Sequence, residues 1–223
     1  MSEDELKRIY EAIIRVEKLV ELSDAYSAIV NYLLWAVIAP VGALLSAIFY
    51  IILGPQLLTG IIVLLMWFFL IIMYWIALKF MGKASRALLL HRLGEERKAI
   101  IKNVKRKMAM VWILLFSLYA VLSIIMPVDV WYFRIIPPTA LCLVVATGNL
   151  LMYLIPRKYL GIRRSEIKVT IITLYALTPV VALASLRDMY LGYMVFAAVV
   201  GISYLCTALY MLNYMFKYIF IER

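Results

Sequence analysis

Charge is missing from most of this chain. No Asp, Glu, Lys or Arg lies between Asp24 and Lys79, and the stretches 108–128, 135–156, 169–186 and 189–216 are equally free of it. Histidine occurs once, at His91, glutamine once, at Gln56, and cysteine twice, at Cys142 and Cys206. Each shortage excludes some chemistry. One histidine cannot supply two axial ligands to a haem, and two cysteines far apart have no metal-site spacing, so both read as small packing residues. No His-Glu-x-x-His, Gly-x-Ser-x-Gly or Walker motif occurs. Buried carboxylates are the usual mark of proton-coupled carriers, and the apolar stretches hold none. The expectation is therefore no catalytic residue, no metal, no cofactor and no enzyme.

What fills the gaps is apolar. Hydrophobic residues make up 66% of the 223 and charged ones 16%, against about 45–50% and about 25% in soluble domains. A bilayer core needs about 20 mostly apolar residues per helix. Each of the four later charge-free stretches suits one span, and 25–78 holds two, divided at Gly54-Pro55-Gln56. The spans fall at about 28–53, 57–79, 108–126, 135–155, 169–186 and 191–216. Lipid offers backbone amides no partner, and the alternating ten-residue segments of a barrel are absent, so the spans must be helices. The sequence predicts an all-α polytopic membrane protein of six transmembrane helices in three hairpins (25–223), preceded by an amphipathic helix over 1–24.

The missing charge is gathered elsewhere. Ten basic residues lie between Lys79 and Lys107 and five in 156–168, against only Arg134 and Arg187 in the remaining loops. Short cytosolic loops carry the Lys/Arg excess. Loops 80–107 and 156–168 are therefore expected in the cytosol with both termini, in the cell membrane. The first basic loop reads as span two running on, a turn at Gly94, and a helix that opens with Glu95 and Glu96 and ends in Lys105–Lys107, as the helix dipole favours. The second repeats that plan around Gly161. These two elbows, with Arg97, Lys98, Lys102, Lys105, Arg106, Lys107, Arg163 and Arg164, are the candidate surface for an acidic cytosolic partner and for anionic lipid headgroups. Nucleic acid is not expected, because no aromatic residues interleave the charges.

The N-terminal segment lacks a basic flank and a cleavage site and does not read as a secretory signal. Ser2 and Glu5 form a capping-box pattern, and Leu6, Ile9, Ile13, Val16 and Val20 follow as a short heptad seam. Its seven acidic residues against four basic ones disfavour anionic headgroups. The seam is expected on protein, either the chain's own basic elbows or a second copy, with the membrane interface as the alternative.

Within the spans, Ala39/Ala43, Gly42/Ser46, Cys142/Ala146 and Ala197/Gly201 set small residues four apart, which lets backbones approach. Helices one, four and six are therefore expected near the bundle centre, while span two, bulky on every face over 66–75, borders lipid or a neighbouring subunit. Pro40 and Pro179 fall mid-span, as static kinks or as hinges of a gate, and Pro137-Pro138 mark the outer end of helix four. Residues 35–46 and 174–185 share proline, valine, Ala-Leu and serine, a weak sign that hairpins 1–2 and 5–6 are a diverged repeat. Asn31, Asn149, Thr178, Ser203 and Asn213 either bond neighbouring helices or line a narrow polar path.

The layout fits a permease-like membrane subunit of a transport or export system driven by a separate cytosolic protein. Transmembrane subunits of ATP-driven exporters share this shape, though no motif carries the likeness. A non-transporting structural or assembly subunit and a self-associating channel are the alternatives.

Overall fold

The computed structural model describes residues 3–54, 57–81, 95–125, 135–160 and 165–220. They form six helices: α1 Glu3–Leu53, α2 Leu57–Met81, α3 Glu95–Ile125, α4 Ile136–Leu160, α5 Ile167–Arg187 and α6 Met189–Phe220. Among the described residues there is no strand. Four segments are long and apolar enough to cross a membrane by length and composition: Ala25–Leu53 within α1, all of α4 and α5, and Met189–Lys217 within α6. A shorter apolar stretch, Ile61–Ala77, lies in α2.

Helix ends follow local chemistry. α1 stops at Gly54, whose φ of 74° is left-handed backbone that glycine adopts without a Cβ penalty. α4 opens with Pro137 and Pro138 in its first turn, where the missing N–H costs nothing. α5 and α6 are separated by Asp188 alone, whose carboxylate accepts the backbone N–H of Tyr190 at 3.1 Å and so caps α6. Pro156, which the span boundary at 155 left outside, sits within α4, and the helix continues to Leu160.

The composition boundary at residue 24 is not a structural one. α1 runs through it as one helix of 51 residues, about 75 Å long at about 1.5 Å per residue. Only its Ala25–Leu53 part is apolar throughout, so the amphipathic segment continues the axis of the apolar one. Leu6 is 50% and Ile9 49% exposed, so these two seam positions are not covered by this chain.

α1 and α2, and likewise α5 and α6, run antiparallel, because residues on either side of the short turn between them meet. Thr170 of α5 meets Thr207 of α6 across Asp188, and Trp67 of α2 meets Ser46 of α1 across Gly54. In space the order is α2–α1–α6–α5–α4–α3, with α6 also touching α4. The α1–α6 interface is the most extensive, and α6 is the hub. The core joins Ile29, Tyr32 and Ala39 of α1, Cys142, Val145 and Ala146 of α4, Leu174 and Val181 of α5, and Val199, Val200, Tyr204 and Ala208 of α6. Helices one, four and six are thus central, as their small residues suggested. α5 is central too, through fully buried Thr170, Leu174, Val181 and Ser185.

Glycines set the closest approaches. A Cβ on Gly201 would lie 2.7 Å from Pro40 Cγ and 3.2 Å from the Ala36 carbonyl. Pro40 has no N–H to give that carbonyl, so the atom freed by the proline faces a residue of α6 without a side chain. The outer helices dock differently. Trp67 of α2 lies flat on Gly42 of α1, and Trp112 of α3 lies flat on Gly148 of α4. Trp67 Nε1 also donates to Ser46 Oγ at 3.1 Å, and Ser46 passes its proton to the Gly42 carbonyl at 2.7 Å. The outward faces are apolar, with Phe68, Phe69, Trp75, Ile113, Leu114, Ile172, Leu183 and Leu209 exposed. A monomer in water does not carry so continuous an apolar surface.

Candidate functional site

Two polar regions come out of this packing: a closed band through the bundle, and an open cluster of cations at one end.

The band starts on α2. Tyr74 donates to Asn31 Oδ1 on α1 and packs against Trp35, with ring centroids 5.0 Å apart. Trp35 and Tyr32 both stack on Tyr204 of α6, at 6.3 and 6.0 Å. Asn149 of α4 closes the line, giving one amide proton to Tyr204 Oη at 3.1 Å and another to the Val145 carbonyl at 2.8 Å. Offset and tilted rings at such spacings attract through their quadrupoles. Asn31 and Asn149, read in the sequence as points on one path, are thus joined, but by aromatic rings rather than an open channel.

The other predicted polar residues are spent on their own helices. Thr178 donates to the Leu174 carbonyl at 2.8 Å and, with its proton committed, accepts from Cys142 Sγ at 3.4 Å. Ser203 donates to the Val199 carbonyl at 2.7 Å. Thr207 gives its proton to the Ser203 carbonyl at 2.9 Å, so Thr170 must be the donor in the 2.6 Å pair they form. Asn213 is exposed, on the outside of α6 and apart from these groups. Among the described residues the one buried polar side-chain atom without a partner is Thr139 Oγ1.

The two mid-span prolines differ. Pro40 is half-buried against Gly201 and lines a half-open apolar cleft of about 210 Å³ with Ala43, Leu44, Met194, Ala197 and Ala198. Pro179 is exposed on α5. The serines that align in the two similar segments make the same bond, Ser46 to the Gly42 carbonyl and Ser185 to the Val181 carbonyl, each at 2.7 Å.

The cationic end is built from three helices. On α3, Val104 is buried against the bundle while Lys102, Lys105 and Arg106 point outward and are exposed. Lys107 turns the other way, and its Nζ sits 3.8 Å over the Tyr159 ring of α4. Lys158 lies 5.8 Å from the same ring. Six residues earlier on α4, buried Tyr153 is flanked by Arg157 at 5.8 Å and by Lys168 of α5 at 5.5 Å. Arg157 also donates to Tyr153 Oη at 3.2 Å. Among the described residues no carboxylate pairs with Lys107, Arg157, Lys158 or Lys168. Each ring thus seats two cations, Tyr159 joining α3 to α4 and Tyr153 joining α4 to α5.

α3 is described from Glu95 onward, and Ser165 and Glu166 form a turn before α5. His91, Gly94, Gly161, Arg163 and Arg164 lie outside the described residues, as do the side chains of Arg97 and Lys98. The two tyrosines under the cations were missed in the sequence. Their signal was Tyr153 and Arg157 four apart on one helix, which puts them on one face. Among the described residues no group of three His, Cys, Asp or Glu side chains could hold a metal ion. No family model matches the chain, and comparison with curated proteins and with solved structures found no match either.

Proposed function

We propose that this chain is a six-span subunit of the cell membrane, with both termini and both basic elbows in the cytosol. In this reading it is the permease-like membrane part of a transport or export system, and a separate cytosolic protein supplies the energy. The observation that carries the reading is the exposed row Lys102, Lys105 and Arg106 on α3. Its helix is anchored by buried Val104, so the row is held rigidly towards an acidic partner rather than on a loose loop. Charge complementarity of this kind steers association and fixes register. The test is Lys102→Gln/Lys105→Gln/Arg106→Gln, followed by purification from native membranes. The native chain should bring down a cytosolic ATPase that the variant loses while its helical signal is unchanged. An ATPase retained by the variant, or no cytosolic companion at all, refutes the docking role.

A second reading, a non-transporting structural subunit, draws on the closed band. Asn149, Thr170, Thr178, Ser203 and Thr207 are all satisfied within or between helices, which suits a rigid scaffold better than a lined pathway. Reconstituted complexes that keep the ATPase but lose no flux when this chain is omitted would favour it.

A further inference from the structure

The seam at the start of α1 does not end where the polar segment ends. Leu6, Ile9, Ile13, Val16 and Val20 occupy positions a and d of a heptad. Counting on in the same register brings Ser23, Ser27, Val30 and Leu34, and then Val37, Val41, Leu44, Ile48 and Ile51, again three and four apart. α1 is one helix throughout, so these positions belong to one continuous stripe. In its polar half Leu6 and Ile9 are half exposed, and in its apolar half Val37, Leu44 and Ile51 are 61, 53 and 82% exposed. The chain's own contacts use the other side of the helix. Ile29, Tyr32 and Ala39 are buried and Gly42 lies under Trp67, all at positions b, c or f. An apolar stripe facing lipid is ordinary for a span. One that keeps its register out into water is not, because there Leu6 and Ile9 have no hydrocarbon to face.

We infer that a second copy of this chain lies along this stripe, the two α1 helices pairing in parallel from Leu6 to Ile51. A straight helix lets a heptad stripe drift by about 20° per repeat, and two helices wound left-handed around each other take up that drift. Because both copies cross one membrane in one orientation, their α1 helices are already parallel and level, so little freedom is lost on pairing. In that register position g of one helix faces position e of the next repeat in the other. The polar half then sets Glu5 against Tyr10, Ala12 against Glu17 and Leu19 against Asp24, and no two like charges meet. The half-open apolar cleft of about 210 Å³ lies beside the stripe. Pro40 and Leu44, which line it from α1, are positions g and d, so a helix laid along the stripe covers its mouth. The contact is isologous, as a two-fold axis normal to the membrane requires. It leaves the row Lys102, Lys105 and Arg106 free for another protein, since α3 stands at the far end of the helix order.

The inference takes from the proposed function only that α1 crosses a membrane. The full chain carrying Cys142→Ala and Cys206→Ala, with one added cysteine, is oxidised in native membranes with copper phenanthroline. Leu6→Cys, Ile9→Cys, Val37→Cys, Leu44→Cys and Ile51→Cys should each give a covalent dimer of twice the chain mass. The controls are equally exposed positions off the stripe: Lys7→Cys and Glu11→Cys on the polar half, Leu183→Cys and Leu209→Cys on other apolar faces. They should crosslink at least about tenfold more slowly, since a disulfide needs Cβ atoms about 3.5–4.5 Å apart. Ile13→Glu, one turn from Ile9, sets two carboxylates across the seam and should slow the Ile9→Cys crosslink by a similar factor. An Ile9→Cys crosslink that Ile13→Glu leaves unchanged overturns the pairing. Equal rates at all positions, as random collision gives, overturn it too. So do crosslinks confined to Leu6 and Ile9, which end the stripe at the membrane, and a product of any other mass, which puts a different protein on α1. Release of the chain from its membranes by alkaline carbonate removes the membrane reading and the inference with it.

Discussion

Replacing Gly201 by alanine should destabilise this protein, and the sign of the effect is the test. At an uncrowded helix position the same change gains about 1 kcal/mol, because glycine is the weaker helix former. Here the added Cβ would meet Pro40 Cγ at 2.7 Å and the Ala36 carbonyl at 3.2 Å, where carbon contacts are at rest at about 3.5–4.0 Å. Neither neighbour is the free end of a flexible chain: one is a proline ring and the other is backbone. Overpacking of this kind costs about 1–3 kcal/mol. Allowing for the propensity gained, the net loss is up to about 2 kcal/mol, or up to about 8 °C in Tm at about 2–4 °C per kcal/mol. Thermal unfolding in detergent, followed by helical circular dichroism, reads it directly. Pro40→Ala in the same chain removes the first obstacle and gives residue 40 an N–H for the Ala36 carbonyl, so the double variant should recover more than half of the loss. A Tm raised by Gly201→Ala would show that α1 and α6 do not meet at this glycine.

Two further outcomes follow from the packing. Asn149→Leu takes the partner from buried Tyr204 Oη and should cost about 1–2 kcal/mol. Adding Tyr204→Phe should leave the loss no larger, and strictly additive losses would mean the two groups are not coupled. Gly148→Leu should push Trp112 off α4. Quenching of Trp112 by bromine-labelled lipid should then rise in a chain whose other tryptophans are phenylalanine, and unchanged quenching would place the ring elsewhere.

Much of the helical layout could be read from the sequence because charge is such a sharp marker here. The turn at Gly54 and the start of α4 at Pro137-Pro138 both sit where composition changes abruptly. The central place of α1, α4 and α6 followed from small residues four apart. α5 escaped that rule because it packs through Thr170, Leu174, Val181 and Ser185, which a count of glycine and alanine does not see. The aromatic band escaped for a related reason. Span two looked bulky on every face, yet Trp67 and Tyr74, seven apart, turn inward while Phe68, Phe69 and Trp75 face out. Position on the helix separates them, where size does not. Asn149 was legible as a polar group needing a partner, but Tyr204 as that partner was not, since the contact depends on how α4 and α6 cross. The cations were legible as charge. Their division into an outward row and a tyrosine-seated cluster depends on helix phase at Val104 and Lys107, which charge counting ignores.

The central claim is that these helices cross a bilayer with the basic ends on the cytosolic side and the Asp188 turn on the other. The most direct measurement is thiol labelling of intact cells with a membrane-impermeant maleimide. Single cysteines at Lys105→Cys or Asp188→Cys are placed in a chain carrying Cys142→Ala and Cys206→Ala. The account predicts that position 188 labels from outside and that position 105 labels only after the cells are opened. Labelling of position 105 in intact cells, or of both positions from the same side, would contradict it.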